Sequence, residues 1–180
     1  MHHSRTTRTI VTLLLLAHIA VVPAAAGPGG GQRAPDLGDF PKLQAPAGHK
    51  VAYHTYAVGV QIYRWNGSSW TFVAPEALLF ADAQGHGIVG THYAGPTWES
   101  NSGSKVVGTV LERGTPDPDA IPWLLLKAVS SNGPGIFDGI TYIQRVNTVG
   151  GLAPADPGHF VGEEVSVAYA AEYFFYRAHR

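Results

Sequence analysis

The feature that most constrains this chain is a strand–turn–strand pattern recurring between His49 and Leu111. Val58, Val60 and Ile62 alternate with Gly59, Gln61 and Tyr63. That period of two gives a strand one buried and one exposed face. Asn66-Gly67-Ser68-Ser69 then leads into Trp70-Thr71-Phe72-Val73. Asn-Gly between aromatic and β-branched runs is a hairpin signal, and it predicts Trp65 and Trp70 as a facing cross-strand pair. Leu78–Phe80 turns through Asp82-Ala83-Gln84-Gly85 into Ile88–Tyr93, and Thr97–Glu99 turns through Ser100–Ser104 into Val106–Leu111. Such a series reads as a β-meander.

The rest of the chain continues the theme. Trp123–Leu126 is too short for periodicity to separate strand from short helix. Pro122 before it and Asn132-Gly133-Pro134-Gly135 after it favour a strand. Ile136–Val149 alternates again, and Val165–Tyr176 is rich in Tyr and Phe. A last strand lying beside the first would remove an exposed edge. With 22 Gly, 13 Pro and 14% charged residues, long helices are disfavoured. The expectation is an all-β fold. It is a single-domain antiparallel β-sandwich or flattened barrel with little helix, built of eight to ten strands over residues 42–180.

The N-terminus reads differently. Arg5 and Arg8 precede an apolar run, Ile10–Val22, broken only by Thr12 and His18 and followed by Pro23 and Ala24-Ala25-Ala26. This is the layout of a secretory signal peptide over residues 1–26, cleaved after Ala26. The run is short against the roughly 20 residues needed to span a bilayer, so no stable membrane anchor is expected after cleavage. Residues 27–41, rich in Gly and Pro, read as a flexible linker, with Phe40 and Leu43 as the side chains able to dock on the domain. The expected location is therefore secreted, extracellular or periplasmic. The chain has no cysteine, which excludes thiol catalysis and zinc–thiolate sites. Its net charge is −1, and the leader carries two basic residues and no acidic one. That balance lacks the basic footprint of a nucleic-acid binder.

Functional-group types concentrate in His86–Ser100, HGIVGTHYAGPTWES. His92 and Tyr93 end a strand before Ala94-Gly95-Pro96, where loops present functional groups. Tyr93, Trp98 and His92 are the candidate ligand-binding residues, with Trp98 as a flat platform for a small molecule or glycan. His92 and Glu99 are the candidate catalytic pair of a hydrolase or metal-dependent enzyme. His86 and His92 are weak metal-ligand candidates, which His49, His54 or Glu99 would have to complete, since such sites need three or four ligands. Glu76 with Glu99 or Asp119 would supply two carboxylates for glycoside hydrolysis. Each feature also has a plain structural role: His92 bonded to a backbone carbonyl, Trp98 in the core, Glu99 as a solvated turn charge. Gln144 and Arg145 fall mid-strand with opposite orientations, so one points inward. A buried arginine needs a carboxylate, and Glu99 or Glu163 would supply it in a structural ion pair. No nucleophile elbow, phosphate loop or dinucleotide fingerprint is present, and the sequence implies no cofactor.

Several runs in order, GVQIYRW (59–65), the W-x-F-V-A-P-E-A run (70–77), VGTHYAGPTWE (89–99), DAIPWLLLKA (119–128) and the F-x-x-I-T-Y-I-Q-R-V-N-T-x-G-G run (137–151), resemble domain-of-unknown-function family 3455. The resemblance spans about residues 42–177. It implies secretion and one compact domain, and carries over no catalytic residue. The leading functional expectation is a non-enzymatic exported binding or surface-interaction module, with the enzyme using His92 and Glu99 as the alternative.

Overall fold

A computed structural model describes residues 33–179. The expected leader 1–26, its cleavage point and the first part of the linker lie outside the described residues. A one-turn 3-10 helix, Pro41–Leu43, precedes eight strands. They are β1 (His49–Trp65), β2 (Trp70–Phe80), β3 (Ile88–Tyr93), β4 (Thr97–Ser100), β5 (Lys105–Gly114), β6 (Trp123–Asn132), β7 (Tyr142–Gly150) and β8 (Glu164–Ala178). Each pairs antiparallel with the next, and β8 pairs with β1 from His49↔Ala178 to Arg64↔Glu164. The sheet is a closed up-and-down barrel, so of the two expected architectures the barrel is the one formed. Closure leaves no edge to template aggregation.

The hairpins form where the turn chemistry places them. Trp65 and Trp70 pair across the first one, ring centroids 5.4 Å apart. The Asn66 side-chain oxygen accepts from the Ser68 and Ser69 backbone N–H groups, both at 2.9 Å, an Asx-type turn. Trp123–Leu126 opens a strand, β6. The alternation from Ile136, by contrast, does not begin a strand. Residues 133–141 form a loop whose Phe137 and Ile140 turn into the barrel end and are buried in its core. The Ser104 hydroxyl holds this plug by accepting from the Phe137 N–H at 3.2 Å, and the Ser131 hydroxyl donates to the Phe137 carbonyl at 2.6 Å. Burying two large apolar side chains there outweighs extending the ladder back to Ile136.

Inward-facing side chains fill the barrel with Leu79, Trp98, Val106, Leu126, Ile143, Tyr173 and Phe175 around that plug. Gly108 makes room for the largest of them: a Cβ there would stand 3.2 Å from the Trp98 ring and 3.3 Å from Leu126. A second cluster lies outside the barrel wall. Leu37, Leu43 and Ala45 cover the outward-facing Leu125, Val146, Phe174 and Tyr176. Gln144, facing this layer, donates from Nε2 to the Leu43 carbonyl at 2.5 Å and accepts from the Tyr176 hydroxyl. The stretch 33–41, within the expected linker, therefore includes chain that is packed: Leu37 is buried and Phe40 rests on Trp123 with centroids 6.1 Å apart.

Candidate functional site

The plug closes the end of the barrel at the β2–β3, β4–β5 and β6–β7 connections. The opposite end, at the β1–β2, β3–β4, β5–β6 and β7–β8 connections, opens into a cavity of about 320 Å³. Gly95 and Pro96 of the β3–β4 turn, Phe72, Val73 and Pro75 of β2, and Ile121 and Pro122 of the β5–β6 connection line it near the rim. Gly95 has φ +81°, a left-handed conformation that glycine takes without strain. Trp98, His92, Tyr173, Gln61 and Arg145 line the cavity farther along the strands.

Register explains how these residues meet. Arg113 (β5) pairs with Leu124 (β6), Leu124 with Arg145 (β7), Arg145 with Tyr173 (β8) and Tyr173 with Thr55 (β1). Directly opposed residues in a ladder project to the same face, so this row runs along the barrel interior, its Arg113 end exposed and its Tyr173 end buried. The two arginines sit two strands apart, about 10 Å at the backbone. Arg145 donates from Nε and Nη2 to the Pro122 carbonyl at 3.1 and 2.8 Å. Neither arginine has a carboxylate partner among the described residues. The expected structural pair of an inward arginine with Glu99 or Glu163 does not form: Glu163 bonds His159 and Glu99 faces outward.

His92 pairs with Trp98 across β3 and β4, and both point inward. The rings stack at 4.4 Å and 10°, and Tyr173 meets both edge-on at 5.1 and 5.2 Å. His92 Nδ1 donates to the Thr97 carbonyl at 2.8 Å, which fixes the proton on Nδ1. Burial, aided by the positive charge of Arg145, drives its pKa down to about 3 against the Thr97 bond. The ring is neutral and far from the range of a general base working near neutrality.

One residue further along, the alternation sends Tyr93 and Glu99 to the outside. There the Tyr93 hydroxyl donates to Glu99 Oε2 at 2.7 Å, and Lys105 Nζ approaches the same oxygen at 3.1 Å. The Tyr93 hydrogen bond and the Lys105 ammonium hold the Glu99 carboxyl below its usual range. His92 and Glu99 are thus on opposite faces of one sheet, and the candidate catalytic pair does not converge. Trp98 is 1% exposed, so it offers no platform on the protein surface. Its place is in the cavity wall. His86 lies in the β2–β3 loop, bonded to Asp82 at 3.1 Å, while His92 is interior. Among the described residues no three or more His, Asp or Glu side chains are grouped to hold a metal ion. Glu76, Glu99 and Asp119 do not line the cavity.

The interior also holds polar groups left without partners. Gln61 Nε2, Trp98 Nε1 and the Tyr173 hydroxyl, on residues 2%, 1% and 1% exposed, make no hydrogen bond, and each residue lines the cavity. The hydroxyls of Thr55 and Tyr169 are unpaired just beyond. Tyr169 is influenced electrostatically by Tyr173 and Gln61, and Tyr173 by Tyr169 and Arg145, but none of these contacts is a hydrogen bond of ordinary geometry. A buried unpaired polar group costs about 1–3 kcal/mol. Several of them in the wall of one cavity are therefore unexpected, and because the atoms are enclosed a partner reaches them only when the wall's side chains shift. Sequence reasoning missed Gln61, Arg113, Arg145 and Tyr173 as site residues. The available signal was a lone polar residue in the inward phase of an apolar strand, and it becomes readable only once the register is known.

An eight-stranded antiparallel barrel with a plugged base and a side-chain-lined interior is the class of protein that these observations define; barrels of this size have room for one small ligand. The chain belongs to the family described as protein of unknown function (DUF3455), which matches residues 46–177. No curated protein and no solved structure matches it.

Proposed function

We propose that this protein is an exported, non-enzymatic carrier or receptor that takes one small molecule into the interior of its barrel. The reading rests on a cavity of about 320 Å³ in the barrel, lined by Gln61, Trp98 and Tyr173, each of which carries an unpaired polar atom in the wall. The wall is otherwise apolar, with Val110, Leu124 and Leu126 among its side chains, which suits a compact ligand better than an extended glycan. Export rests on the leader pattern of residues 1–26, and N-terminal sequencing of the secreted product is expected to start at Gly27.

Binding is tested with the neutral apolar dye N-phenyl-1-naphthylamine, titrated by fluorescence. Saturable binding at one dye per chain is expected. Val110→Trp, which fills the cavity, is expected to remove it while the far-ultraviolet circular dichroism stays that of wild type; Leu124→Trp serves if that variant misfolds. No saturable binding by the wild type, or undiminished binding by the filled barrels, overturns the reading.

A further inference from the structure

Resting on that reading, we infer that the ligand is a small organic acid whose carboxylate docks on Arg145, with its apolar body against Trp98, Leu124 and Leu126. The argument is a count of hydrogen-bonding roles around the cavity. The backbone acceptors near it are already used: Thr97 O by His92, Pro122 O by Arg145 and Gly151 O by the Tyr63 hydroxyl. What remains is mostly donors, beside two unpaired neutral acceptors, His92 Nε2 and the Gln61 amide oxygen. The donors are Nη1 of Arg145, which has no hydrogen-bond partner among the described residues, and, enclosed in the wall beside the cavity, the amide nitrogen of Gln61, the indole N–H of Trp98 and the Tyr173 hydroxyl. Arg113, toward the exposed end of the same interior row, adds a second unpaired guanidinium.

A donor surplus with a half-buried cation and no carboxylate in the wall calls for an acceptor-only, negatively charged group. A neutral alcohol would satisfy one donor and leave the charge uncompensated. An amine would add a like charge to the site. A carboxylate accepts several hydrogen bonds at once and supplies the missing counter-charge, and a guanidinium edge matches its planar geometry. Leaving one charge of a would-be pair alone in a low-dielectric site is the costly state, and the ligand is what relieves it. His92 does not compete for the anion, because its ring is neutral and its Nδ1 proton is already committed to Thr97.

The test displaces bound N-phenyl-1-naphthylamine with three probes sharing one body: 4-phenylbutyrate, 4-phenylbutan-1-ol and 4-phenylbutylamine. Wild type is expected to bind the acid about tenfold or more tighter than the alcohol, and the amine weakest. Arg145→Gln is expected to bring the acid-to-alcohol ratio down to about two or less, and Arg145→Lys, which keeps the charge but loses the fork, to an intermediate value. The melting temperature reports whether each variant is folded. Arg113→Gln, at the exposed end of the row, is the second variant, with a smaller fall in the same ratio. Equal binding of acid and alcohol by wild type, or an unchanged ratio in folded Arg145→Gln, overturns the inference. If the dye binds and the acid fails to displace it, the carboxylate is wrong and the binding barrel stands. If the dye itself does not bind, both fall.

Discussion

His92 illustrates how much one residue's setting decides. It ends a strand beside a Gly-Pro turn, where its sequence is equally compatible with a base, a ligand or a prop. In the fold it is a neutral ring stacked on Trp98 with Tyr173 edge-on to it. That has a consequence for stability, because the pKa of His92 falls from 6.5 to about 3 on folding. The unfolded chain therefore binds the proton first. Its contribution is fully present above pH 6.5 and is lost as pH falls toward 3. The Glu172 carboxyl, lowered by His54 and Asn147 against its own burial, adds a loss that begins below its ordinary value of 4.5. Melting temperature measured against pH is expected to fall through this window, and His92→Phe is expected to shallow the slope by about one proton between pH 6 and 5, where Glu172 is silent. An unchanged slope there would show that His92 is not the titrating group.

At the scale of elements, the meander, its turns and the closing last strand were all legible, because alternation and turn chemistry are local. What escaped was what each face meets. Gln144 and Arg145 were readable as opposite in orientation, yet both face protein-lined surroundings, one a buried outer layer and the other the cavity. That outer layer exists because residues 37–45 cover the wall; in so Gly/Pro-rich a stretch Phe40 and Leu43 stand out as side chains that could dock, but not the wall that they meet. Residues 136–141 read as strand but form loop for a related reason: Phe137 and Ile140 are apolar because they plug the barrel, which looks the same as strand alternation. Leu43→Ala is expected to cost about 2–5 kcal/mol in urea unfolding, the range for a buried leucine truncated to alanine. A cost under about 0.5 kcal/mol would mean that the segment contributes little to the folded state.

For the whole molecule, closure depends on joining the first strand to the last. The His54–Glu172 contact spans 118 residues of sequence, and β1 meets β8 over nearly its full length. Ring closure of this kind cannot be completed until both ends of the chain are in place, so refolding is expected on the slow side for a domain of this size, in milliseconds to seconds. Stopped-flow tryptophan fluorescence checks this, and completion within microseconds would contradict it.

The plugged base has one more consequence. With that end blocked, a molecule that enters at the mouth is expected to leave by the way it came, so anything crowding the rim slows arrival and departure together. The strand that completes the barrel ends at the other pole, where the His179 N–H donates to the Gly48 carbonyl at 2.7 Å. A protein fixed to a sensor chip through a C-terminal tag would thus stand base-down, with its mouth turned to the flowing solution.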